Sequence, residues 1–278
     1  MKRNGDRKMS KETNTPESIL AQAKKRGIKK FYVLMSGGKD SITTAHVTNK
    51  ILGGIDGVCF IDTTIGLPET KAFVERLCKE QGWELHILNP PNKNYEEFVM
   101  AYGFPKAPMH RAVMTELKWK SMVSWWRKRP DNQEITFVSG IRRKESSRRM
   151  RTAEPFSYDK GTTTKKKKGM AFIAPLYDWS DQQVWDYIKE HDLEISPAYK
   201  TLHISGDCLC GAYADFKEAE LLNIFHPETA ERIRCLEKKR SEKCEGCPNN
   251  TWGNHSSLEG TKEQTSMENF ICGECQVR

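Results

Sequence analysis

The stretch Ser36-Gly37-Gly38-Lys39-Asp40-Ser41 constrains this chain most, because it separates an apolar run, Phe31-Tyr32-Val33-Leu34-Met35, from a helix-compatible segment at residues 42–52. The order it dictates is strand, glycine turn, helix. Two adjacent glycines open backbone conformations closed to other residues and let the chain approach a ligand closely. The unpaired N–H groups at the start of the following helix then face that ligand, and the helix dipole favours negative charge there. An anion is expected in this turn. Lys39 adds a compact cation suited to phosphate or pyrophosphate, and Ser36 and Ser41 add hydroxyls.

The turn lacks the G-x-x-x-x-G-K-[ST] spacing of kinases and GTPases. It resembles instead the PP-loop, S-G-G-x-D-S, of ATP pyrophosphatases and of the phosphoadenosine phosphosulfate (PAPS) reductase family. Three further segments carry the resemblance. Residues 61–70, Ile-Asp-Thr-Thr-Ile-Gly-Leu-Pro-Glu-Thr, are similar to the family's D-T-G-x-x-x-P-E-T, with Thr64 where glycine is usual. Gly140-Ile141-Arg142-Arg143-Lys144-Glu145-Ser146 resembles its G-x-R-R-x-x-S. Pro175-Leu176-Tyr177-Asp178-Trp179, followed by Val184-Trp185-Asp186-Tyr187-Ile188, resembles its P-L-x-D-W…V-W-x-Y-I. The four segments occur in family order.

Periodicity predicts strands near 31–35, 57–61, 84–88, 134–139 and 171–174, and helices near 17–26, 41–52, 68–82, 94–101, 110–128 and 180–191. Strands alternating with helices imply βαβ crossovers and a parallel sheet covered on both faces. The loops after the first, second and fourth strands then open on one edge of the sheet, so one nucleotide could reach Ser36, Asp62 and Arg142 together. The expected fold is α/β, a Rossmann-like parallel sheet of the PP-loop type with helices on both faces, plus a small cysteine-rich C-terminal metal domain. The expected divisions are a disordered basic tail at 1–16, a nucleotide-binding domain at 17–203 and the metal domain at 204–278.

With 278 residues, 37% of them apolar, the chain can bury a substantial core. Neither a transmembrane span nor a signal peptide is recognisable, so a cytoplasmic protein without membrane contact is expected. The net charge of +8 is uneven. Arg142, Arg143, Lys144, Arg148, Arg149 and Arg151 crowd one segment, and a lysine run follows at 165–168. The run reads as a flexible, solvated loop. Arg142 and Arg143 read as ligand-binding, because they follow the apolar run at 135–138. Met114, Trp119, Met122, Trp125 and Trp126 read as a core-facing helix stripe. His46, His86 and His110 read as isolated structural or surface residues, and neither a Ser-His-Asp nor an H-E-x-x-H pattern is present.

Seven of the nine cysteines follow residue 207. Cys208/Cys210, Cys244/Cys247 and Cys272/Cys275 form close pairs, the usual signature of tetrahedral zinc or an iron–sulfur cluster. Metal-free redox thiols are the further alternative. The family resemblance implies a [4Fe–4S] cluster, with zinc as the other metal. Cys59 and Cys78 read as buried, inert thiols. Reductases of the family that lack a cluster carry a catalytic cysteine in a Glu-Cys-Gly-x-His tail, which Glu274-Cys275 matches only in its first two residues.

The resemblance implies an enzyme that binds an adenine nucleotide, with Mg²⁺ as a companion ion. Its binding residues would be Ser36, Gly37, Gly38, Lys39, Asp40, Ser41, Asp62, Thr63, Gly140, Arg142 and Arg143. Of these, Lys39, Asp40, Arg142 and Arg143 would act in the chemistry. Two reactions remain open. In one, a thiolate attacks adenylyl sulfate or PAPS and sulfite leaves, with a thiol reductant as partner. In the other, ATP loses pyrophosphate and the adenylated acceptor, a nucleic acid for example, takes sulfur from a donor such as a cysteine desulfurase. A different class of reading is a metal-stabilised nucleic-acid-binding protein with a vestigial nucleotide loop. That reading calls for aromatic residues among the basic ones, and 142–151 has none.

Overall fold

The structure is a computed structural model and describes residues 14–145, 150–151, 153–165, 167–247 and 249–253. Its strands are β1 (Lys30–Met35), β2 (Gly57–Ile61), β3 (Leu85–Leu88), β4 (Ile135–Val138), β5 (Phe156–Tyr158) and β6 (Ala171–Ile173). The helices α1 (Pro16–Lys25), α2 (Lys39–Leu52), α3 (Pro68–Gln81), α4 (Tyr95–Tyr102), α5 (His110–Val113) and α6 (Lys120–Arg127) precede β4. After β6 come α7 (Asp181–Glu190), α8 (Ala198–Leu202), α9 (Phe216–Phe225) and α10 (Pro227–Lys243).

The six strands form one mostly parallel sheet in the order β3-β2-β1-β4-β6-β5. β1 pairs parallel with β4, Val33 opposite Val138, and β4 pairs parallel with β6. β5 closes that edge antiparallel to β6. The expected α/β architecture with a parallel sheet is therefore observed, with one short antiparallel edge strand added. No helix among the described residues is long and apolar enough to cross a membrane.

Chain contacts divide the molecule into two compact units. Among the described residues, one takes in those up to Met35, those of Lys39–Val58 and those of Pro130–Glu194; the other takes in Ser36–Gly38, Cys59–Arg129 and those from Ile195 on. This division does not follow the boundary expected at residue 204. The expected N-terminal tail lies almost wholly outside the described residues.

In the first unit, Phe31, Val33, Phe137, Val138 and Ile173 are buried strand residues, as expected of strands covered on both faces. Ile19, Leu20 and Ala23 of α1, Ile42 and Ala45 of α2, and Val184 and Ile188 of α7 complete its core. Thr15 caps α1 by accepting the Ser18 N–H, and Pro16 sits in the first turn where its missing N–H costs nothing. The connection between β5 and β6, which carries the lysine run expected in a flexible, solvated loop, is hydrogen-bonded at its base. Asp159 accepts the Thr162 N–H at 2.6 Å and the Thr163 hydroxyl at 2.7 Å, while Thr162 Oγ1 accepts the Met170 N–H at 2.8 Å. Lys165, Lys167 and Lys168 remain exposed on it.

The second unit is built on a core that joins residues far apart in sequence: Ile65, Leu67, Tyr95, Phe98, Phe104 and Leu117 pack with Leu222, Ile233, Leu236 and Trp252. Between α5 and α6 the chain makes a π-helical stretch, Met114–Trp119. The wider turn shifts the helix face, so Leu117, Met122 and Trp126 are buried while Met114, expected in the core stripe, is exposed.

Candidate anion site at the sheet switch point

The strand order reverses between β1 and β4, since successive strands are laid down on one side of β1 and then on the other. At such a switch point the loops leaving the strand ends diverge and open a crevice where ligands bind. In the first unit this places the start of α2 beside the loop after β4. The two chains come very close: a side chain on Gly140 would put its Cβ 2.9 Å from the backbone carbon and oxygen of Asp40. Glycine at 140 is what permits that approach.

The approach gathers four charged side chains. Lys39 Nζ donates to Asp181 Oδ1 at 2.6 Å and pairs with Asp40 Oδ2 at 3.2 Å. Arg142 Nε donates to Asp40 Oδ1 at 2.6 Å, and its Nη2 donates to Asp181 Oδ1 at 2.8 Å. Lys39 and Arg142 are nearly enclosed, with side chains 9% and 3% exposed, whereas the Asp181 side chain is 61% exposed. The hydrogen bond from Lys39 holds the Asp181 carboxyl below its ordinary range, with Arg142 adding to the effect. Burial opposes the charge on Arg142, but Asp40 and Asp181 outweigh it and raise its pKa. A lysine at the first turn of a helix and an arginine from the loop packed beside it form a corner able to take an anion.

Arg142 and Arg143 part company here. Arg143 is half exposed, 3.2 Å from Asp178 Oδ1 and 5.6 Å from the Tyr177 ring centre. Asp181 has no counterpart among the expected site residues. Its only signal in the sequence is Ser180-Asp181-Gln182-Gln183, a capping-box pattern that starts a helix. The box forms, and Asp181 is the first residue of α7.

The glycines of the turn have a structural duty in the second unit. Gly37 has φ +80°, accepts the Ser196 N–H on its carbonyl at 2.9 Å, and leaves only 3.2 Å between a built Cβ and Ser196 or Thr70. A Cβ on Gly38 would stand 3.0 Å from that of Ser205. Asp62 accepts the Thr64 N–H and pairs with Lys71 at 2.9 Å. Thr63 is buried and donates its hydroxyl to the Asp207 carbonyl at 2.8 Å. Thr64 has φ +63°, the left-handed region that explains why glycine is usual there, and its hydroxyl accepts the Tyr95 N–H at 2.8 Å.

The second unit also pins Cys208-Leu209-Cys210 through three nearby backbone carbonyls. Besides Thr63 on Asp207, Trp252 Nε1 donates to Leu209 and the Tyr95 hydroxyl to Cys210, both at 2.8 Å. Beside this segment Lys118 pairs with Asp207 at 2.6 Å. Burial pulls the Lys118 ammonium down, and the Asp207 carboxylate outweighs it and raises its pKa. Lys118 lies within the π-helical stretch. A single lysine between Leu117 and Trp119 was its one sequence cue. A hydrogen bond with Cys210 lowers the Cys208 pKa against burial, with Lys118 assisting, and raises that of Cys210. Burial pushes the Cys78 thiol up to about 11 and raises Cys59 further, in keeping with inert thiols. His46, read as isolated, bonds the Tyr187 hydroxyl at 2.9 Å and lies beside His191.

A [4Fe–4S] cluster or a tetrahedral zinc needs four ligands. Cys208 and Cys210 stand together, Cys244 and Cys247 are joined in a disulfide, and Cys272 and Cys275 lie outside the described residues. No group of three or more His, Cys, Asp or Glu among the described residues could hold a metal ion. The described cysteines therefore do not make up such a ligand set.

Comparison with known proteins gives the family. Residues 30–210 match the phosphoadenosine phosphosulfate reductase domain. An uncharacterized Methanocaldococcus jannaschii protein is 30% identical over 172 residues, 62% of this chain, and the match spans only 34% of that relative's length. Phosphoadenosine 5'-phosphosulfate reductase of Xylella fastidiosa (strain 9a5c) is 23% identical over 209 residues, 70% of this chain and 77% of the relative. Among solved structures, the phosphate complex of Candida auris PAPS reductase aligns over 67% of this chain and 84% of its own, at 18% identity and a TM-score of 0.49. With the matched domain covering well over half of its length, the chain belongs to the PAPS reductase family.

Proposed function

We propose that this protein is an enzyme that binds an adenine nucleotide through phosphate or sulfate groups at the Lys39/Arg142 corner and acts in sulfur metabolism. The observation that carries the reading is the meeting of Lys39, at the first turn of α2, with Arg142, at the loop after β4, across the switch point. A PAPS reductase among the relatives supports the choice of nucleotide.

The chemistry follows from the charges. When an adenylyl sulfate gives up its sulfur to a thiolate, or ATP gives up pyrophosphate, negative charge grows on the departing phosphate oxygens. An enclosed ammonium and a guanidinium already in place stabilise that charge without having to reorganise. Arg142 presents a planar fork to two oxygens, and Lys39 presents a point charge to one. The α2 N–H groups add partial positive charge.

The test is the product formed by purified protein from ATP, adenylyl sulfate and PAPS in the presence of a dithiol. Pyrophosphate from ATP supports the adenylating version, and sulfite from either sulfonucleotide supports the reductive one. Neither product, together with no measurable binding of the three nucleotides, would overturn the reading.

A further inference from the structure

The two carboxylates of the corner are not equivalent. Asp40 follows Lys39 in the chain; its Oδ1 takes Arg142 Nε at 2.6 Å, while Lys39 Nζ straddles both of its oxygens at the longer distances of 3.2 and 3.4 Å. Asp181 comes from the start of α7, and its single Oδ1 accepts from both Lys39 Nζ and Arg142 Nη2. One anionic oxygen bridging a lysine and an arginine is what a phosphate oxygen would supply in the same place. Asp181 is also the more exposed of the two, at 61% against 25%, so it covers the solvent side of two otherwise enclosed cations.

The charges of the four side chains cancel. A corner already neutral has little net attraction for a further anion, and a phosphate beside two carboxylates would meet repulsion. The binding-competent form is the one in which a carboxylate has left. Asp181 is the more solvent-exposed of the two and so the one with room to turn outward.

We propose that Asp181 is a built-in counter-ion: it occupies on Lys39 and Arg142 the position of the ligand's phosphate or sulfate oxygen, and the ligand binds by displacing it. The proposal rests on the reading of this corner as an anion site. Its consequence is that apparent affinity is reduced by the fraction of molecules in which Asp181 stands aside. Removing the charge should not undo the local fold. The start of α7 is fixed by Ser180 and Gln183, each side chain accepting the other's N–H at 3.2 and 2.8 Å, and Asp40 still pairs both cations.

The experiment is calorimetric titration of the full chain with inorganic pyrophosphate, ATP and adenylyl sulfate, comparing parent, Asp181→Asn and Asp181→Glu, with thermal melts alongside. The expected result is binding about fivefold or more tighter in D181N, with near-parent affinity in D181E. Asp181→Ser carries the same expectation should D181N fail to fold. A purely structural ion pair predicts the opposite, a lower melting temperature with unchanged or weaker binding, and that outcome overturns the proposal while leaving the nucleotide reading intact. Absence of binding to all three ligands in the parent and both neutral variants would overturn the anion site itself, and the counter-ion with it.

Discussion

Replacing Gly140 with alanine probes the contact on which the corner depends. The added Cβ would lie 2.9 Å from both the carbonyl carbon and oxygen of Asp40, and 3.1 Å from the Ser41 nitrogen. Carbon atoms in contact prefer about 3.5–4.0 Å, so the loop after β4 and the first turn of α2 must separate by roughly 0.5–1 Å. The obstacle is backbone at the start of a helix, which has no rotamer by which to yield. Gly140 does not have positive φ, so alanine suits its backbone and the contact alone is tested. Overpacking of this kind costs about 1–3 kcal/mol of stability. A shift of about 1 Å at a reacting site costs on the order of 100-fold in rate. Urea unfolding should report the first effect, and turnover or nucleotide titration the second, with function lost far more than stability. A G140A variant that unfolds and binds as the parent does would refute the close approach of the two loops.

Two further expectations concern the second unit. Thr64→Gly removes the cost of a left-handed β-branched residue, about 1–2 kcal/mol, and loses the hydrogen bond from the Tyr95 N–H, about 1 kcal/mol; Thr64→Ala loses the bond and keeps part of the strain. Urea midpoints should therefore rank T64G above T64A, and the reverse order would contradict the φ of +63°. Burial, with Asp215 adding, raises the Glu218 carboxyl from its ordinary 4.5 to about 7. Its folded pKa is above its unfolded one, so its protonated form contributes stability below pH 4.5, and that contribution is lost as pH rises toward 7. Glu218→Gln should be more stable than the parent at pH 8 by on the order of 2 kcal/mol, with the difference vanishing below pH 4.5; equal stability at both pH values would refute the shift.

The first half of the fold was legible because its signals are local. An apolar five-residue run and a glycine pair mark β1 and the start of α2, and strand–helix alternation marks the parallel sheet, though not the order of its strands. Other features depend on distant partners. β5 has only three residues, and its pairing with β6 spans the lysine turn, so no period marks it. The sequence from Lys217 on is polar, with few apolar residues for a core, yet Leu222, Ile233 and Trp252 are buried in one cluster with Tyr95 and Phe98, residues more than a hundred positions earlier. The stripe from Met114 to Trp126 was read on an α-helical period, and the π-helical stretch displaced it. In the corner itself, Lys39, Asp40 and Arg142 come from motifs visible in the sequence. The division of labour between adjacent Arg142 and Arg143 depends on which side chain turns inward, and Asp181 depends on a contact across 142 positions. The first leaves no local trace, and the second only the capping box that starts α7.

In the proposed function, Lys39 and Arg142 together hold the nucleotide's anionic groups. The most direct test of this is the dissociation constant of the nucleotide, whichever of ATP and adenylyl sulfate the parent binds, measured for the parent, Lys39→Ala and Arg142→Lys. At least tenfold weaker binding is expected for K39A, about 1.4 kcal/mol. A clear loss is expected for R142K as well, since lysine keeps the charge but not the two-pronged geometry. Folded K39A and R142K proteins that both bind with the parent's affinity would contradict that reading.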